Sequence, residues 1–495
     1  MRRRYRVLGR LAVVAVAILI VRYAAGWSPA TAEPVWQAIF ERLPATFELA
    51  VVALMAAVVL GAAVGFALVR TRPRWLRGLI HSVQLLARAI PVVVMAFLIE
   101  LVMVLTPLFP GFGIASRDAF DLGDRLSHVI APALCLAVPF GAWMSVIFYE
   151  FFRATDATTR MPLCAIVWPV ATSIALVGPA VLAACLLIEP AFAWPGIARL
   201  FYGALTQFDP GILVGCVLTY CAAIVLLDLA AEFAPRMPPA SPTQLSPAGD
   251  RKRIGLTGRM AIVVLLCAVV GALAGDAIAS GPYFVDQAHW SGYPLAPGVG
   301  GHLLGTDANG RDMLSRAMIA LRTSLEIAAM AALLGLAIAF VYAKGTQALF
   351  RRDNMAALGV GGIRAFAGIP FVLTAVTLLV VKSRLHIDVL NPAVIAVIIA
   401  AVSWPAVVPA FRTRTSALFA AGIDLMAGAL MLEVTQSAIG FGVHPPLPSL
   451  GNMLMGALMF FAVGPWMSIV PAVVIVTVLF ALYALADDIR EMARG

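Results

Sequence analysis

The chain has 495 residues, 62% of them hydrophobic and 12% charged. Soluble domains run closer to half apolar and a quarter charged, so the composition excludes a water-soluble enzyme and a long disordered tract. A mean hydropathy of +0.96 leaves room for about a dozen helices of ~20 apolar residues each, and for no large aqueous domain. The formal charge of +9 falls in short segments between apolar runs, which is a sign of membrane topology rather than of nucleic-acid binding.

Apolar runs bounded by charge, Pro or Gly predict membrane-crossing helices over 10–26, 46–69, 85–107, 127–152, 163–189, 210–233, 259–280, 322–343, 360–381, 389–411, 416–439 and 462–486. The expected fold class is therefore an all-α polytopic membrane protein. Alternate loops on one side carry Arg70, Arg72, Arg74 and Arg77, then Arg153 and Arg160, then Lys344, Arg351 and Arg352. Such an excess of Lys and Arg marks the cytoplasmic face and puts both termini there. The basic start, the apolar core after it and Ala30-Thr31-Ala32 resemble a secretory signal. Arg22 interrupts that run, and the segment is read as an uncleaved anchor.

Residues 235–258 shift abruptly to Pro, Ser and basic side chains and predict a cytoplasmic linker. It divides the chain into halves at 1–234 and 259–495, with six spans each. An even number of spans gives the halves the same orientation, so they form a parallel repeat with a path expected at their interface. The halves echo one another weakly. Leu187-Ile188-Glu189 precedes Phe192-Ala193-Trp194-Pro195-Gly196 in the first, and Met431-Leu432-Glu433 precedes Ile439-Gly440-Phe441-Gly442 in the second.

The six cysteines lie in or beside apolar runs without a C-x-x-C, and suggest neither disulfides nor zinc. The histidines are scattered without metal-ligand spacing. No nucleophile motif is present, so no catalytic residue, cofactor or metal site is expected in the chain. Gly61-Ala-Ala-Val-Gly65 makes a small-residue face suited to helix packing. Trp194, Trp290 and Trp466 are expected as anchors at the membrane interface.

The segment Gly305-Thr306-Asp307-Ala308-Asn309-Gly310-Arg311-Asp312-Met313-Leu314-Ser315-Arg316 and the stretch from Gly440 to Leu454 resemble two elements of one permease subunit of the dipeptide/oligopeptide/nickel-type ABC transporters. Glu41-Arg-Leu-Pro-Ala-Thr-Phe-Glu-Leu-Ala50 and Phe192-Ala-Trp-Pro-Gly196 resemble elements of its partner subunit. The resemblance implies both permease subunits fused in one chain of the bacterial inner membrane. It also implies separate ATPase chains and an extracytoplasmic substrate-binding protein as partners, with ATP bound on those other chains. No G-x-x-x-x-G-K-[ST] occurs here, in keeping with that division of labour.

The chain departs from that family where a cytoplasmic E-A-A…G segment should link the fourth and fifth spans of each half. The first half has only the stretch from Arg153 to Pro162 there, and the second only Phe411-Arg-Thr-Arg-Thr415. Arg153, Arg160, Arg412 and Arg414 mark these shortened coupling loops. A two-turn docking helix needs about eight residues plus turns, which the second loop lacks. A second expectation follows: a permease-fold subunit not coupled to ATP, acting as a structural or regulatory partner or as an ion-driven carrier.

Ionisable residues inside a bilayer are candidates for function. Glu189 and Glu433, at equivalent places near the outer ends of the fifth spans, have two readings. They line the mouth of a substrate pathway and attract a cationic group, or they bond a helix end and hold the loop that follows. Asp424, mid-span with no charge near it in sequence, suggests a proton or cation step in that pathway. Asp307, Arg311 and Asp312 form either an ion-paired turn or a surface for docking the binding protein.

Overall fold

The computed structural model describes residues 27–28, 33–114, 122–154, 163–207, 209–233, 255–278, 293–349, 391–412, 415–457, 460 and 463–494. A two-residue ladder pairs β1 (Trp27–Ser28) with β2 (Glu33–Pro34). The remaining regular structure described is helical. Among the described residues eight helices are long and apolar enough to cross a membrane, or nine counting one bent pair as a span. The chain is an all-α polytopic membrane protein. The runs expected at 10–26 and 360–381 lie outside the described residues.

Contacts divide the chain into two compact units, Met1–Arg88 with Thr106–Pro242, and Ala89–Leu105 with Thr243–Gly495. The first holds α1 (Val35–Arg70), α2 (Arg74–Ala89, whose last residue belongs to the other unit), α4 (Leu122–Ala154), α5 (Leu163–Ala191), α6 (Ile197–Gln207) and α7 (Pro210–Phe233). The second holds α3 (Val92–Leu105), α8 (Leu256–Ile278), α9 (Met313–Leu349), α10 (Pro392–Ser403), a 3-10 helix (Trp404–Arg412), α11 (Thr415–Ala438), α12 (Leu450–Ala457) and α13 (Trp466–Arg494). The run expected at 85–107 is not one straight helix: it takes in the end of α2 and the whole of α3, and the chain bends between them by 97°. The break falls at Ile90-Pro91, where proline has no N–H to give and disfavours helical geometry in the residue before it.

The first unit is built on α1 against α4. The small-residue face foreseen at Gly61 and Gly65 is the contact surface. A Cβ on Gly61 would stand 2.9 Å from Met144 Cβ, and one on Gly65 2.8 Å from Phe148 Cβ. In the facing helix, a Cβ on Gly141 would come within 3.1 Å of the Ala57 carbonyl. Lipid tails are as apolar as leucine, so membrane helices associate by such close backbone approach. Around the seam Ala57, Ala137, Met144 and Phe148 form a buried cluster. Gln84 of α2 donates to Ser145 Oγ at 2.9 Å. Arg88 stands over the Trp143 ring, 4.2 Å from its centroid.

In the second unit Ala332, Ala339, Val407, Val408 and Leu425 bring α9, the 3-10 helix and α11 together. Asn391 caps α10 by accepting from Ala393 N at 2.9 Å. With 12 residues, α10 is about 18 Å long, short of the ~30 Å hydrocarbon core. The 3-10 helix continues it, with Trp404 against Tyr342 at a ring separation of 5.0 Å. Asp488 of α13 accepts from Gly255 N at 2.6 Å and so fixes the start of α8.

Gly65→Leu should lower the thermal unfolding midpoint of the detergent-solubilised chain, because overpacking a filled seam costs about 1–3 kcal/mol. Gly78, with nothing within 4 Å of its added Cβ, supplies the control: Gly78→Leu should leave the midpoint unchanged.

Candidate functional site

Two side-chain clusters of similar build lie one in each compact unit, and each fixes the N-terminus of a short helix. In the first, Glu189 ends α5 and is fully buried. Its Oε2 accepts from Ala198 N at 2.7 Å and Arg199 N at 3.3 Å, in the first turn of α6. Thr46 of α1 faces the same carboxylate, and its Oγ1 accepts from Ile197 N at 2.8 Å. The first N–H groups of a helix have no partner within it, so an oxygen there supplies one and a negative charge suits the dipole. A Cβ on Gly196 would collide with the Glu189 carboxylate, which accounts for the glycine after Trp194-Pro195.

Trp194 is also fully buried, and its Nε1 donates to the Ala45 carbonyl at 2.9 Å. It is therefore not the interfacial anchor expected from sequence: its ring fills the core and its N–H ties the loop to α1. Trp466 is half-buried, and its Nε1 donates to Thr306 O at 3.0 Å. Trp290 lies outside the described residues.

In the second cluster Glu433 of α11 is again fully buried. Ser437 Oγ donates to Glu433 Oε1 at 2.8 Å and accepts from Val443 N at 3.0 Å. The hydroxyls of Ser324 and Ser449 face the same carboxylate. Ser324 Oγ, on α9, accepts from Leu450 N at 3.2 Å at the start of α12. Asn452 closes the loop before that helix by donating to Leu447 O at 2.8 Å and accepting from Ser449 N at 3.1 Å. A Cβ on Gly451 would overlap the Val434 carbonyl, so α12 lies backbone to backbone on α11.

The two glutamates were legible in the sequence; the hydroxyls that work beside them were not. The overlooked signal is Thr46-Phe-Glu-Leu-Ala50 against Ser324-Leu-Glu-Ile-Ala328, which opens the equivalent span of each half. The carboxylates two residues on, Glu48 and Glu326, turn away from the clusters. Glu48 pairs with Arg125 of α4, Nε to Oε1 at 2.9 Å. Glu326 pairs with Arg322 of its own helix at 2.9 Å.

Asp307, Arg311 and Asp312 come together in one turn. Asp307 Oδ1 accepts from Asn309 N and Arg311 N, both at 2.9 Å. Its Oδ2 meets Arg311 Nε at 2.7 Å and Arg316 Nε at 3.4 Å. Asp312 caps α9 by accepting from Ser315 N at 2.7 Å, and its other oxygen is 2.9 Å from His302 Nδ1. Gly305, at φ +77°, supplies a left-handed conformation that side chains resist. Asp424 has a partner far along the chain: its carboxylate is ion-paired with Arg490 of α13, which also contacts Asp487. Arg153 sits in the last turn of α4, and Arg412 ends the 3-10 helix. Arg160 and Arg414 lie outside the described residues.

No family model matches the chain. Curated relatives include the oligopeptide transport system permease protein OppC of Haemophilus influenzae, 24% identical over 243 residues, which are 42% of this chain and 76% of the relative. The chain resembles the permeases of peptide transport systems. The dipeptide transport system permease protein DppB of Escherichia coli is 26% identical over 240 residues, 40% of this chain and 71% of its own length. The putrescine export system permease protein SapB of Escherichia coli is 24% identical over 255 residues, 43% and 79% respectively. These relatives are named as permease proteins of transport systems, and the likeness together with the eight apolar helices among the described residues supports a multi-pass inner-membrane protein.

Removing either acceptor of the first cluster leaves a buried N–H without its partner, at a cost of about 1–3 kcal/mol. Thr46→Ala and Glu189→Ala should each lower the thermal midpoint. The double variant should lose less than the sum of the two, since residues of one network couple. Strict additivity would show that the two side chains act separately.

Proposed function

We propose that this chain is the membrane permease of a binding-protein-dependent importer of the peptide class, with both permease halves in one polypeptide and both termini in the cytoplasm. The observation that carries this reading is the repeated cluster: a hydroxyl on the first core span and a glutamate on the fifth hold the N-terminus of a short helix, once with Thr46 and Glu189 and once with Ser324 and Glu433. The lengths favour it too. Each relative is matched over about three quarters of its length by about two fifths of this chain, which leaves room for a second subunit. Solute passes by alternating access, delivered by an extracytoplasmic binding protein and driven by ATP on separate ATPase chains. Glu189 and Glu433 serve that pathway by positioning the two short helices. The solutes in the relatives' names, oligopeptide, dipeptide and putrescine, all carry an amino group, which sets the class to test first.

One observation favours a second reading, a permease-fold subunit that no longer couples to ATP. In the second half only residues 413–414 separate the 3-10 helix from α11, and Val407 and Val408 of the 3-10 helix are buried in the unit. Affinity purification of the tagged chain from native membranes separates the readings. Stoichiometric recovery of an ATPase is expected for the importer, and recovery of the chain without one would establish the uncoupled subunit. Asp424→Asn removes one charge of the Arg490 pair. If that pair serves an ion step, uptake of a labelled dipeptide should fall while protein abundance holds; unchanged uptake would assign it to packing.

A further inference from the structure

Along α9, Arg322, Glu326, Ala329, Leu333, Leu336 and Phe340 follow one another at spacings of three or four residues, which stacks them on a single face of the helix. The first two are the ion pair, with side chains 40% and 54% exposed. The other four line an apolar groove of about 680 Å³, whose opposite wall is α11 through Leu418, Phe419, Gly422 and Met426. Charge and groove are continuous: Ala329 lies one turn from Glu326.

Depth fixes the setting. Glu326 precedes Lys344 by 18 residues, about 27 Å of helix, close to the ~30 Å thickness of the hydrocarbon core. The ion pair therefore stands at one boundary of the membrane and Lys344 near the other. From Glu326 one leaflet's chains reach about 15 Å, or about ten residues of helix, which covers the groove from Ala329 to Leu336. The first half lacks this arrangement at the same place. There Glu48 is drawn into a pair with Arg125 on the neighbouring α4, and its side chain is 24% exposed. Glu326 instead pairs with Arg322 on its own helix, with its side chain 54% exposed.

We propose that this face of the second unit binds one zwitterionic diacyl phospholipid, with its headgroup ammonium on Glu326, its phosphate on Arg322 and one acyl chain in the groove between α9 and α11. A carboxylate beside a guanidinium complements a headgroup that carries both signs. A purely anionic headgroup would meet Arg322 but be repelled by Glu326. A polar solute suits the charges and not the groove, which is walled by aliphatic and aromatic side chains apart from Thr415.

Native mass spectrometry of the delipidated full-length chain tests this with phosphatidylethanolamine and phosphatidylglycerol as probes. Phosphatidylethanolamine should bind about tenfold more tightly than phosphatidylglycerol, the effect of roughly one charge-assisted contact. The double substitution Arg322→Gln with Glu326→Gln should abolish that preference. Gly422→Leu narrows the groove and should weaken phosphatidylethanolamine binding, whereas Gly428→Leu, with nothing within 4 Å of its added Cβ, should not. Equal binding of the two lipids by the unsubstituted chain overturns the proposal, as does undiminished preference in the Arg322/Glu326 variant. Loss of binding on Lys344→Gln alone would place the headgroup at the opposite boundary and also overturn it. A second measurement addresses other occupants. Cysteine introduced by Leu333→Cys should react with a lipid-soluble maleimide in delipidated protein and be protected when phosphatidylethanolamine is added. Full protection before any lipid is added would mean that another part of the protein fills the groove, and the lipid site would be withdrawn.

Discussion

A helix that starts in the protein interior leaves its first N–H groups without water and without intrahelical partners, and that constraint organises both halves of this chain. Each compact unit answers it with a hydroxyl oxygen on one long helix and a carboxylate on another. Thr46 and Glu189 take the first turn of α6. Ser324 takes the start of α12, while Glu433 holds the loop before it through Ser437. Because the oxygens come from helices far apart in sequence, satisfying the short helix also ties the spans to one another. The glycines beside the clusters follow from the same crowding, since Gly196 and Gly451 stand where a side chain would meet the carboxylate or the backbone.

Among the described charged residues, some hold turns and others join helices. Asp307 and Asp312 spend their oxygens on local N–H groups and on Arg311, Arg316 and His302. The element that most resembles a permease motif is thus a self-bonded turn that sets the start of α9. Glu48 with Arg125, and Asp424 with Arg490, join separate helices instead. Charges are costly near hydrocarbon and persist there mainly when paired, so both pairs constrain which helices can be neighbours.

Much of this was readable along the chain because the governing interactions are local or periodic. Hydropathy alone located the eight long apolar helices among the described residues, since each must satisfy its own backbone over about 20 residues. The spacing of Gly61 and Gly65 announced a packing face, and the turn at Asp307 lies within ten residues of sequence. The positions of Glu189 and Glu433 followed from their place before similar loops. Trp194 was misjudged because an indole suits a membrane boundary and a buried site equally well; its bond to Ala45 decides between them and spans 149 residues.

By itself, then, the sequence determined the membrane class, the likeness to peptide permeases and the identity of the glutamates at the two clusters, each carried by composition or a short motif. Tertiary structure alone decided what those glutamates touch, that Asp424 has Arg490 as its partner, that Thr46 and Ser324 complete the two clusters, and that the α9 ion pair heads an apolar groove. The physical reason is range. Periodicity and turn chemistry act over a few residues, whereas the partner of a buried charge or N–H is chosen by the packing of helices that the chain brings together from a hundred residues away.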